Sequence, residues 1–212
     1  MKAWTSSARP CAPQAEAVAA EDPLILASAS PRRAELLSTL GIPFRVDPSR
    51  VEETVAPGES VSAAAVRLAE AKARDVASRS GESPVLAADT LVALGSRIFG
   101  KPGNDREADA MLRALAGRTH LVVTGIALHC SGRLCRAAVE TEVDFAPMSE
   151  TEIAWYIATG EPRDKAGGYA VQGHGARFIC AVRGSYSNVV GLPVRAVYEM
   201  LLDAGRRDLA LP

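Results

Sequence analysis

The segment LILASASPRRAELL, Leu24 to Leu37, constrains the fold more than any other part of the chain. Leu24 to Ser28 is a short apolar run ending in small residues, the pattern of a buried strand. Pro31 suits the first position of a helix with Ser30 as its N-cap, and that helix is predicted to run to Gly41. A strand that passes into a helix within a few residues asks for a sheet with helices packed against it. The alternation then continues. Ser60 to Arg79 carries Val61, Ala65, Val66, Leu68, Ala69 and Val76 at helical spacing. Pro84 to Gly95 reads as a strand with a polar break at Asp89 and Thr90. Asn104 and Glu107 form a capping-box pair opening a helix that ends near Gly117. His120 to Cys130 and Ala137 to Phe145 are strands close enough to form a hairpin. Ser149 and Glu152 open a helix closed by Gly160, Arg177 to Ser185 is a further strand, and Pro193 opens a last helix reaching Asp203. The expected class is α/β, with a mixed sheet because of the hairpin.

Composition removes several functions. The chain has 212 residues, enough for one large domain or two small lobes, and a net charge of −1 gives no general attraction for nucleic acid or an anionic membrane. Two Trp and four Tyr form no aromatic stripe for stacking bases. No apolar run approaches the roughly 20 residues of a membrane span. Residues 1–22 lack the apolar core of a secretory signal and read as a loose leader, so the expected location is the cytoplasm. Cys11, Cys130, Cys135 and Cys180 have no CxxC spacing and are expected as reduced thiols. His120, His129 and His174 make no zinc pattern.

Four segments carry chemistry. SASPRR, Ser28 to Arg33, lies at the start of a helix, where unpaired N–H groups bind anions. Arg32 and Arg33 in a first turn oppose the helix dipole, which makes sense if they fork onto a phosphate. GxxxxGK[ST] is absent, which disfavours a P-loop ATPase. Asp89 and Thr90 interrupt an apolar strand, and a carboxylate there must be paired, metal-bound or poised as a base. Glu52 and Glu53 add carboxylates of the kind a hard cation such as Mg²⁺ prefers. Lys72 lies in the long helix and Lys101 in the loop FGKPGND. Gly160 to Gly173, GEPRDKAGGYAVQG, combines glycines with Asp164, Lys165, Tyr169 and Gln172, a mixture suited to shaping a ligand site. These residues alone fit a phosphatase, a nucleotidyl transferase or a nucleotide-binding regulator equally well.

SASPRRAELL, RVEET, AEAKA, AADTLV, GKP, GRTH, GEPRDKAGGYAVQG and SNVVGLPV occur in this order between Leu24 and Asp203. Together they resemble the Maf family of nucleoside triphosphate pyrophosphatases. The resemblance implies a domain over residues 23–205, followed by a tail at 206–212. Its fold would be an elongated, two-lobed mixed sheet related to the inosine triphosphatase-like (Maf/Ham1) proteins. It implies Asp89 as proton acceptor, a divalent cation (Mg²⁺ or Mn²⁺) held by Glu52 and Asp89, and a triphosphate bound by Ser28, Ser30, Arg32, Lys72 and Lys101 with help from Arg33. Arg32, Thr90 and Gln172 match positions linked to substrate choice. Lys165, Tyr169 and Gln172 match the group preferring dTTP and UTP, whereas a group preferring 7-methyl-GTP has Cys in place of the Lys. Homodimers are usual in the family, and its link to septum formation keeps a non-catalytic regulator as the rival reading.

Overall fold

The computed structural model describes residues 22–211; the leader expected over residues 1–22, with Cys11, lies almost wholly outside them. Along the chain come β1 (Leu24–Leu26), α1 (Pro31–Thr39), β2 (Phe44–Val46), α2 (Val61–Ala77), β3 (Val85–Leu94), β4 (Arg97–Phe99), α3 (Asp105–Leu115), β5 (Thr119–Cys130) and β6 (Arg133–Phe145). α4 (Glu150–Ala158) follows, then three 3₁₀ turns between Glu161 and Phe178, β7 (Ile179–Arg183), α5 (Tyr186–Val190), α6 (Val194–Asp203) and α7 (Arg207–Ala210).

The seven strands form one sheet in the order β2-β1-β3-β5-β6-β7, with β4 also on β3. β2, β1 and β3 are parallel, and β3, β5, β6 and β7 are antiparallel. The expected α/β class and mixed sheet are therefore present. The predicted hairpin is longer than its sequence signal, because β6 pairs with β5 from Arg133 onward. Ser131 and Gly132, both at positive φ (49° and 70°), make the two-residue turn whose twist suits such a hairpin.

One face of the sheet is covered by α2. Ala69, Ala73 and Val76 pack on Ile25, Val85 and Ala127, and Ala64, Ala65 and Leu68 pack on Leu91 and Val123. The small residues of α2 let it lie close, and Gly125 of β5 lets it lie closer still. A Cβ on Gly125 would come 2.2 Å from the Ala65 carbonyl.

The other face holds two separate apolar cores. Leu24, Leu26, Leu86 and Ile126 meet α1, α6 and α7, while Val92, Val122 and Phe145 meet α3 and α4. Each fully buried Leu or Phe contributes about 1.5–3 kcal/mol. Between the two cores lies a buried polar belt. The Thr90 and Thr124 hydroxyls are 2.9 Å apart, Thr124 donates to the Asn188 carbonyl, and Asn188 Nδ2 donates to Thr141 Oγ1 and to the Val122 carbonyl.

The strand expected from Pro84 to Gly95 is present as β3, and its polar residues Asp89 and Thr90 pair with β5, opposite Gly125 and Thr124. Two expectations need correction. Asn104 caps α3 by accepting from Glu107 N, but Glu107 answers Gly103 N and Asn104 Nδ2, so the reciprocal box is incomplete; the Ser149–Glu152 box is complete. Residues 206–211 of the expected tail are not simply a tail, since α7 buries Leu209 and Ala210 in the core shared with α6. No helix among the described residues is long and apolar enough to cross a membrane.

Candidate active site

β1 pairs with β3 only as far as Leu86, and β4 joins β3 only from Val92. Between them the outer edge of β3, around Ala88 to Leu91, has no strand beside it. An open cleft of roughly 330 Å³ lies against this gap. Its wall includes the β1–α1 junction, Glu53, Lys72, Asp89, Thr90, Lys101 and the Asp164–Gln172 stretch.

Arg33 fills the gap from the side. Its Nε donates to the Gly191 carbonyl at 2.7 Å, Nη1 to the Ala88 carbonyl at 2.8 Å and to Ser28 Oγ at 3.0 Å, and Nη2 to Thr90 Oγ1 at 3.1 Å. The Ala88 carbonyl, left without a ladder partner, thus receives a guanidinium donor. Burial pushes the Arg33 guanidinium down from its ordinary pKa, opposed by the fields of Asp89 and Glu53. Each nitrogen of Arg33, which also lines the cleft, has a protein acceptor, so Arg33 braces the strand edge and Thr90. Ser28 Oγ also accepts from Ser30 N at 3.3 Å, fixing the turn that opens α1. Ser30 is the N-cap by backbone position and makes no side-chain cap bond.

Behind the gap is a line of alternating charges. Lys72, on α2, donates to Asp89 Oδ1 at 2.5 Å and to Glu53 Oε1 at 2.6 Å, and Lys101 donates to Glu53 Oε2 at 2.7 Å. Lys72 and Asp89 are buried, whereas Lys101 is half exposed. Asp89 sits above the ordinary carboxylate pKa, mainly through burial, with the pull of Lys72 working against it. Burial works on Glu53 in the same direction, but hydrogen bonds from Lys101 and Lys72 outweigh it and hold Glu53 at about 2.

Glu52, the carboxylate assigned to metal binding from the sequence, is exposed and does not line the cleft. Val51 and Glu53 both line it, and Glu52 between them does not. The pair EE signalled a carboxylate here, but only the register of the loop selects Glu53. Asp89 and Glu53 converge on one point, now spanned by the Lys72 ammonium. Two carboxylates without His or Cys suit Mg²⁺ or Mn²⁺, which complete their shell with water and phosphate oxygens. No group of three His, Cys, Asp or Glu among the described residues could hold a metal alone.

The opposite wall belongs to the glycine-rich segment. Arg32 Nη1 reaches across to Asp164 Oδ2 at 3.0 Å, and Lys165 Nζ donates to Asp164 Oδ1 at 2.5 Å. Asp164, present in the motif but given no role from the sequence, thus holds two cations at the cleft. Tyr169 lines the cleft with its hydroxyl 2.6 Å from His120 Nε2. Gln172 is exposed at the mouth and has no side-chain hydrogen bond among the described residues. Thr124, Thr141 and Asn188, which brace Thr90 from within the polar belt, had no sequence signal beyond the asparagine of SNVVGLPV.

A sequence model for the family described as Maf-like protein matches residues 23–204. The dTTP/UTP pyrophosphatase of Syntrophus aciditrophicus (strain SB) is 50% identical over 184 residues, covering 86% of this chain and 90% of that protein. The dTTP/UTP pyrophosphatases of Myxococcus xanthus (strain DK1622) and Anaeromyxobacter sp. (strain Fw109-5) are 51% and 49% identical, each alignment covering 86% of this chain and 92% and 89% of theirs. A solved HAM1 protein from Coxiella burnetii aligns with a TM-score of 0.41 at 22% identity, over 57% of this chain and 73% of that one. The family match over nearly all described residues, with relatives about half identical across most of their own length, makes this chain a member of the Maf-like protein family.

Proposed function

We propose that this protein hydrolyses dTTP and UTP to the nucleoside monophosphate and pyrophosphate in a reaction dependent on a divalent cation. The observation that carries the reading is the meeting of Asp89, Glu53, Lys72 and Lys101 at one end of the cleft, with the Lys165–Gln172 segment along the facing wall. The names of the curated relatives support the nucleotide choice.

Water attacks the α-phosphorus, the α–β phosphoanhydride bond breaks, and pyrophosphate leaves. Asp89 accepts the proton that water loses. Burial raises its pKa, which makes it a better base than a solvated aspartate. Lys72, Lys101 and Arg32 offer positive charge to oxygens that gain negative charge as the bond breaks. The free backbone N–H groups at the start of α1 add donors without a charged side chain. Mg²⁺ or Mn²⁺ bound by Asp89 and Glu53 would supply acidification of the attacking water and neutralise phosphate charge. Gln172 offers a donor and an acceptor to a pyrimidine edge, and Thr90, fixed by Arg33 and Thr124, gives the cleft floor one defined shape.

The test is incubation of the purified protein with Mg²⁺ or Mn²⁺ and dTTP, UTP, CTP, 7-methyl-GTP, ITP, GTP and ATP, quantifying pyrophosphate and monophosphate separately. Pyrophosphate release led by dTTP or UTP, and lost in Asp89→Asn, is expected. A lead by 7-methyl-GTP would overturn the nucleotide assignment, and absence of turnover by folded protein would overturn the enzymatic one.

A further inference from the structure

Glu161 lines no part of the cleft, yet its hydrogen bonds reach both ends of the segment that does. Three donors meet on its carboxylate. His174 N donates to Oε2 at 2.8 Å, Gly175 N to Oε1 at 2.9 Å, and the Tyr156 hydroxyl to Oε1 at 2.8 Å. The Tyr156 oxygen in turn accepts from Ala170 N at 3.1 Å, and the Glu161 carbonyl accepts from Lys165 Nζ at 2.7 Å. The segment is therefore tied where it enters the cleft at Lys165, where it lies against it at Ala170, and where it leaves at His174 and Gly175.

These ties act on a chain that cannot hold its own shape. Gly167, Gly168 and Gly173 all have positive φ, and glycine surrenders more conformational freedom than any other residue when it is fixed. The space around the ties is full. A Cβ on Gly175 would come 2.4 Å from the Ala170 carbonyl and 2.6 Å from the Tyr156 hydroxyl, and one on Gly173 would come 2.5 Å from Glu161 Oε2. Tyr156, on α4, is itself wholly buried in the core, so the position of its hydroxyl is set by packing.

We infer that Glu161, acting in part through Tyr156, is the positioning residue that sets the nucleobase selectivity of the cleft. The inference rests on the reading above that Lys165–Gln172 meets the base. Glu161 does not touch the substrate; it fixes the backbone that carries Gln172 and the Ala170–Val171 wall. A carboxylate accepts all three donors, whereas the amide of Gln has a single acceptor oxygen and turns two donors of its own toward groups that also donate. Glu161→Gln therefore loosens the segment while keeping size and shape.

The experiment measures kcat and KM for UTP and GTP with the wild-type protein, Glu161→Gln and Tyr156→Phe. In Glu161→Gln the UTP/GTP ratio of kcat/KM is expected to fall about tenfold, the order expected from one lost hydrogen bond to a charged acceptor. The fall comes through the KM for UTP, with GTP turnover within about twofold of wild type. Tyr156→Phe, which keeps the ring but removes the hydroxyl, and with it the Ala170 tie and one of the three donors to Glu161, shows a smaller fall in the same direction, and it decides the matter if Glu161→Gln fails to fold. An unchanged ratio, or equal loss on both nucleotides, overturns the inference by leaving Glu161 a purely structural role. A wild-type protein with no preference for UTP overturns the underlying reading of the segment, and that failure is visible before any variant is made.

Discussion

Lys72 Nζ lies 2.5 Å from Asp89 Oδ1, and both side chains are almost wholly buried. Removing one member of such a pair leaves the other charged in a low-dielectric setting, which costs far more than the pair itself contributes. Lys72→Met is therefore expected to lower stability by about 3–5 kcal/mol, read from urea unfolding. Asp89→Asn keeps a polar partner for Lys72 and leaves Glu53 in place, so it should unfold within about 1–2 kcal/mol of wild type. Pyrophosphate release by Asp89→Asn should nevertheless fall by about a hundredfold or more.

The two adjacent glutamates separate cleanly. Glu53 bridges Lys72 and Lys101 at the cleft, and Glu52 is exposed outside it. Glu53→Gln should lower activity by at least about tenfold and raise the Mg²⁺ concentration needed for half-maximal rate, while Glu52→Gln stays within about twofold of wild type. Metal titrations of both variants decide the assignment, and the reverse ranking would restore Glu52.

Gly125 faces α2 at a distance that excludes a methyl group. Since the obstructing atoms are the Ala65 backbone, the helix must move as a whole. Gly125→Ala is expected to cost about 1–3 kcal/mol from overpacking. It should also slow catalysis although it touches no ligand, because the same helix carries Lys72. A stability loss with full activity would show that α2 can shift without disturbing the Lys72–Asp89 pair.

His120 brings a pH dependence. Burial pushes its imidazole down to about 4, so between the ordinary value of about 6.5 and about 4 the unfolded chain binds a proton that the folded one refuses. Its contribution to stability is complete above pH 6.5 and is lost as pH falls toward 4. Wild type should lose about 2 kcal/mol more than His120→Gln between pH 6.5 and pH 5, measured by urea unfolding at each pH. Parallel pH profiles for the two proteins would contradict the assignment.

Much of the site was legible because its residues break local rules. Asp89 in an apolar strand, and two arginines in a helix first turn that bears no acid, are anomalies that propensity alone would not produce. The long helices and the β5–β6 hairpin followed from periodicity and caps. What stayed hidden depends on register and distant pairing. No local signal separates Glu52 from Glu53, or pairs Arg33 with the Ala88 and Gly191 carbonyls. β2 and β4, each three residues long, are too short to show a period. α7 was read as a tail because four residues carry little pattern, although Leu209 is fully buried.

The polar belt through Thr90, Thr124, Asn188 and Thr141 has a mechanical consequence. Apolar surfaces slide over one another at little cost so long as area stays covered, whereas hydrogen bonds are directional and fail within a fraction of an ångström. A seam of oil between the two cores of that face would have let one half creep past the other. The belt acts instead as a row of dowels, so the basic end of the cleft and the glycine-rich wall keep a single alignment.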